Sequence, residues 1–105
     1  MLLDAEADFE VVAEAGNLLS VFQHVRGHRP AVLVLDLNMP GGSSLAAIPQ
    51  LRSLSSRTEI VVLTMEHDPA LAREAAQAGA CGFVLKEAAG AELVRTIRSA
   101  ARGAA

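Results

Sequence analysis

The sequence predicts an α/β fold in which a parallel sheet carries helices on both faces. Three observations lead there. Short Val- and Leu-rich runs, "AVLVLDL" over 31–37, "EIVVLT" over 59–64 and "GFVLK" over 82–86, read as strands covered on both sides. Segments with the apolar spacing of helices alternate with them, and the links are too short for antiparallel rearrangement. At 105 residues the chain holds one core and has no room for a second folded unit.

Taken in order, "FEVVA" over 9–13 is a β-rich run ahead of the turn signal Gly16-Asn17, and predicts a first strand. Leu18, Val21, Phe22 and Val25 then form one helical stripe that stops near Gly27 and Pro30. The strand over 31–37 follows, with Asp36 as its one charged residue. After "NMPGG", Ser43 or Ser44 caps a helix carrying Leu45, Ile48 and Leu51, in which Pro49 should bend or weaken the second turn.

The strand over 59–64 is succeeded by Asp68-Pro69, an N-cap with proline at the first helical position, and that helix stops at Gly79 with Leu71, Ala75 and Ala78 on one face. Gly82 to Lys86 is the last strand. Gly90 to Arg102 is the last helix, with Leu93, Val94, Ile97 and Ala101 inward and Arg95, Arg98 and Arg102 toward its negative end. The count is four strands and four helices.

Composition narrows the function. A net charge of −3 with scattered basic residues gives no support for direct nucleic-acid binding. No stretch approaches the apolar length of a membrane span, and the acidic start "MLLDAEADFE" is unlike a signal peptide. The single cysteine, Cys81, lies in the apolar "AGACGFVL" and cannot form an internal disulfide, which fits a reduced, cytoplasmic setting. His24, His28 and His67 lack paired metal-ligand spacing, and "PGGSS" lacks the lysine of a nucleotide-binding loop.

Ligands of such sheets bind beyond the carboxyl ends of the strands. Asp36, Thr64 and Lys86 end three successive strands and fall on that rim. A carboxylate nucleophile beside a hydroxyl and an ammonium suits transfer of an anionic group, and phosphoryl transfer needs mainly positioning and charge neutralisation. Singly, each residue could simply mark where a strand emerges into water.

The stretches "LVLDLNMPGGSSLAAIPQLR" and "IVVLTMEHDPALAREAAQAGACGFVLKEAAGAELVRTIRSAARG" resemble the receiver domain of bacterial two-component response regulators, most of all those preceding a helix-turn-helix output domain. The resemblance runs from about Leu2 to Gly103 and implies a flavodoxin-like sheet. It implies Asp36 as phosphoacceptor, served by a sensor histidine kinase or a small phosphodonor. Thr64 would bond the phosphoryl oxygen, and Lys86 would pair with its charge. Phe83 stands at the family's aromatic switch position, and Asn38 would offer its backbone carbonyl to magnesium. The role is signalling rather than enzymatic.

Receivers begin with a strand that ends in two adjacent acidic residues, and this sequence starts too close to Asp36 to contain it. The expectation is therefore a truncated receiver over 1–105, lacking the usual first strand and most of the first helix; Asp4, Glu6 and Asp8 do not replace the acidic pair. Magnesium, which needs several oxygen ligands, should then bind weakly or not at all. The absent strand is the central one, so exposed strand edges, or the last helix and strand, should drive dimers or other homo-oligomers. Glu87 follows Lys86 where the family often has proline.

Two other readings compete. A pseudo-receiver would act by protein contact without carrying phosphate. A haloacid-dehalogenase-like hydrolase needs a second carboxylate two residues past its nucleophile, and Asn38 stands there.

Overall fold

The computed structural model of the chain describes residues 17–28, 31–37 and 44–104. The expected strand over 9–13, and with it the fourth strand of the sheet, lies outside the described residues, as do Asn38 and the "NMPGGS" loop.

The described elements are α1 (Leu18–His28), β1 (Val32–Asp36), α2 (Ser44–Leu54), β2 (Glu59–Thr64), α3 (Pro69–Ala78), β3 (Gly82–Leu85), a 3-10 turn (Lys86–Ala88) and α4 (Ala89–Ala104). The strands pair in parallel in the order β1-β2-β3. The register sets Leu35 opposite Val62 and Asp36 opposite Leu63, then Val62 opposite Phe83 and Thr64 opposite Leu85. The α/β class and the parallel sheet are as predicted.

Because successive residues of a strand point to opposite faces, the sheet divides its side chains between two cores. Leu35, Ile60 and Val62 meet Val21, Val25, Ile48, Leu51 and Ala75 from α1, α2 and α3. Val61 and Val84 meet Leu93, Ile97 and Ala100 of α4 on the other face. Among the described residues, three helices on one face and one on the other make the sheet doubly wound.

Local chemistry fixes where the helices start and stop. The Asn17 side chain accepts from the Ser20 N–H at 2.9 Å, capping α1. Asp68 Oδ1 accepts from the Ala70 N–H at 2.9 Å with Pro69 following, as the sequence predicts. Gly79 closes α3 at φ 122°, a conformation that side-chain-bearing residues rarely adopt, and its N–H bonds back to the Ala75 carbonyl. Gly82 serves packing instead: a Cβ there would lie 2.6 Å from Thr96 Cγ2, so its absence lets α4 settle onto β3.

Three expectations need correction. Val32, Leu33 and Val34 of β1 are only half-buried, with Leu35 alone fully inside. The described residues cover β1 less completely than β2, its pairing neighbour, whose Ile60, Val61 and Val62 are fully buried. β3 ends at Leu85, and Lys86 opens the 3-10 turn rather than closing the strand. The inward row of α4 includes Ala100, while Ala101 is half-buried. Cys81, although apolar residues surround it in sequence, is exposed. Pro49 lies inside α2, where the sequence places it.

Candidate functional site

The carboxyl ends of the strands bring Asp36 and Lys86 together. Asp36 is the last residue of β1, and Lys86 is the first beyond β3, with all of β2 between them. The Lys86 Nζ lies 2.8 Å from Asp36 Oδ2, a contact that reaches across the three described strands. The two side chains are 30% and 35% exposed. An ion pair so open to water is worth about 1 kcal/mol or less, so a stronger anion arriving at the carboxylate can redirect the ammonium.

The backbone at Asp36 is held from below. Its carbonyl accepts from the Ser44 hydroxyl at 3.1 Å, and the next N–H, of Leu37, donates to the Leu63 carbonyl at 3.0 Å. Ser44 therefore ties the first turn of α2 to the end of β1. Sequence reasoning weighed this serine only as a helix cap.

Thr64 ends β2 on the same rim and is 1% exposed. Its Oγ1 accepts from the Glu66 N–H at 3.1 Å, which fixes the first bend of the β2–α3 loop. A hydroxyl that accepts one hydrogen bond still has its own hydrogen to donate. The geometry thus joins Asp36 to Lys86 directly and places Thr64 at the neighbouring strand end, one register position beyond Asp36.

Phe83 is half-buried and packs against the core formed with α1, α2 and α3, on the sheet face opposite α4. Asn38 lies outside the described residues. Two features of the rim had no sequence signal: His67 Nε2 on the β2–α3 loop forms an ion pair with Glu87 Oε1 on the 3-10 turn, and Met65 is largely exposed beside Thr64. Residues far apart in sequence leave no periodic trace of such a pairing.

Magnesium prefers near-octahedral oxygen coordination. Asp36 supplies one carboxylate, already engaged by Lys86 through Oδ2, and among the described residues no three His, Cys, Asp or Glu side chains gather as a metal site. The described residues do not by themselves make a magnesium shell.

A family profile described as the response regulator receiver domain matches residues 1–98. The oxygen regulatory protein NreC of Staphylococcus epidermidis is 36% identical over 104 residues, covering 98% of this chain and 48% of NreC. The chain spans about half the length of the curated relatives it matches. Among solved structures, a LuxR-family two-component response regulator from Aurantimonas sp. superposes with a TM-score of 0.89 at 32% identity, covering 97% of this chain and 73% of that one. The signal receiver domain of the NarL response regulator from Mycobacterium tuberculosis gives a TM-score of 0.89 at 29% identity, covering 97% and 82%. With a matching profile over most of its length, close relatives and a shared three-dimensional fold, the chain belongs to the response regulator receiver domain family, in the branch of the LuxR-type regulators.

Proposed function

We propose that Asp36 accepts a phosphoryl group from a sensor histidine kinase or a small acyl phosphate, and that the chain acts as a phosphorylation-controlled receiver for a transcriptional output domain. The observation that carries this reading is the 2.8 Å contact between Lys86 Nζ and the Asp36 carboxylate at the carboxyl edge of a parallel sheet. Receiver domains of this family work with sensor kinases and commonly hold magnesium at the acceptor site.

In the proposed step a carboxylate oxygen of Asp36 attacks phosphorus. The new P–O bond forms as the bond to the donor's imidazole nitrogen, or acyl oxygen, breaks, and the departing group keeps that electron pair. Hydrolysis of the resulting mixed anhydride by water returns the carboxylate and inorganic phosphate. Lys86 neutralises charge on the transferred oxygens, and the Thr64 hydroxyl donates to one of them.

The phosphoryl group brings nearly two negative charges to the end of β1. Lys86 follows that charge, and movement of the Thr64 hydroxyl opens space beside β3 for Phe83 to turn inward. The surface built from β3 and α4 then differs between the two states, and self-association through it belongs to the same proposal. A metal ion, where bound, supplies further neutralisation of the phosphoryl oxygens; Asp36 and the backbone carbonyl of Asn38 are the groups the reading assigns to it.

Intact-mass measurement after incubation with acetyl phosphate and magnesium tests the proposal. One added phosphoryl group, absent in Asp36→Asn, is expected. No adduct on the wild-type chain, together with partner binding that survives Asp36→Ala, would favour the phosphate-independent pseudo-receiver instead.

A further inference from the structure

We propose that His67 and Glu87 form a latch that positions Lys86 on Asp36, a role that rests on the reading of Asp36 as phosphoacceptor. His67 lies three residues beyond Thr64 on the β2–α3 loop, and Glu87 directly follows Lys86 in the 3-10 turn. Their ion pair, Nε2 to Oε1, joins the two segments that carry the groups facing a phosphoryl ligand. On one side the chain runs from Thr64 through Glu66, whose N–H bonds the Thr64 hydroxyl, to His67. On the other it runs from Glu87 to Lys86 and across to Asp36. The latch closes that circuit above the strand ends.

A short 3-10 turn holds itself poorly, because its hydrogen bonds are few and badly aligned. A tether at its second residue therefore restricts the residue beside it more than the same tether on a long helix. The pair is well exposed, at 68% and 64%, so its effect is on where the turn sits rather than on overall stability.

The charged neighbours leave the two partners available to each other. Glu66 and Asp68 flank His67, and Asp68 is occupied in capping α3. Lys86 is engaged with Asp36, and Glu92 in the first turn of α4 and Arg73 in α3 are the next charges along the adjoining helices. The contact is an ion pair only while His67 is protonated, so the latch holds more firmly on the acidic side.

Lys86 is the single lysine of the chain, which makes its reactivity a direct gauge of the latch. The test is reductive methylation of Lys86, followed by peptide mass, at pH 6.5 and pH 8.5. At the lower pH His67→Gln and Glu87→Gln should each label roughly two- to fivefold faster than wild type, with little difference at the higher pH. The swapped pair His67→Glu with Glu87→Arg should restore slow labelling at both. Initial rates of phosphorylation by acetyl phosphate at pH 6.5 should fall in the single variants and recover in the swap. Labelling that matches wild type in both single variants at pH 6.5, or rises equally at the two pH values, overturns the latch. A wild-type chain that takes up no phosphate defeats the acceptor reading alone, and the labelling still decides whether the pair positions Lys86.

Discussion

At the foot of the sheet, Arg52 Nη1 donates to the Thr58 carbonyl at 2.7 Å and pairs with Glu59 at 3.3 Å, while the buried hydroxyls of Ser55 and Thr58 share a 2.8 Å bond. Backbone bonds from Glu59 to Ala31 and from Cys81 to Ile60 stitch the same end. At the rim stand Asp36 at the end of β1 and Lys86 just past β3, both about a third exposed, beside loops joined by the exposed His67–Glu87 pair. The foot spends its polar groups on one another: the Ser55 and Thr58 hydroxyls do so in buried positions, where losing a partner is costly, and the half-buried Arg52–Glu59 pair lies beside them. The rim leaves its charges in contact with water, where partners exchange at little cost. A sheet anchored at one end can therefore change its contacts at the other without unfolding.

The comparison can be broken by substitution at either end. Ile60→Ala, in the fully buried start of β2, should lower unfolding free energy by about 2–5 kcal/mol in urea titration. Thr58→Val leaves the buried Ser55 hydroxyl without its partner, for a loss of about 1–3 kcal/mol. Asp68→Ala, removing the α3 cap, should cost about 0.5–2 kcal/mol. Lys86→Met, at the rim, should change stability by no more than about 1 kcal/mol while greatly diminishing phosphate uptake. A Lys86→Met loss as large as that of Ile60→Ala would erase the distinction between the two ends.

Cys81 sharpens the contrast by pH. Partial burial, then the neighbouring Glu59 carboxylate, pushes its thiol above the ordinary thiol range. The folded chain thus holds the thiol proton more tightly than the unfolded one. That contribution is present in full below the unfolded thiol's range and is lost as pH rises through the raised folded value. Iodoacetamide alkylation should stay slow near pH 8 and accelerate only at higher pH, and Glu59→Gln should move the acceleration downward. A thiol that alkylates rapidly at pH 7 would contradict this account of the foot.

Much of this was legible in the amino-acid sequence. The strand over 59–64 and the Asp68-Pro69 start of α3 are as read, because Val-rich runs and caps are local signals. The placement of Asp36 and Lys86 on one rim followed from alternation alone. What was not legible depends on contacts between distant segments: the turn that lifts Lys86 off β3, the Arg52–Thr58–Ser55 network, and the pairing of His67 with Glu87. Nothing in the sequence signalled what lies beside Cys81: its sequence neighbours are apolar, yet it is exposed and has Glu59 of the adjoining strand alongside.

The most direct test traps the phosphoryl group where it forms. After treatment with acetyl phosphate, borohydride reduces an aspartyl phosphate to an alcohol, and peptide mass spectrometry locates the altered residue. Reduction confined to position 36, and greatly diminished in Lys86→Met, is the predicted result; an unaltered Asp36, or reduction at another carboxylate, would contradict it.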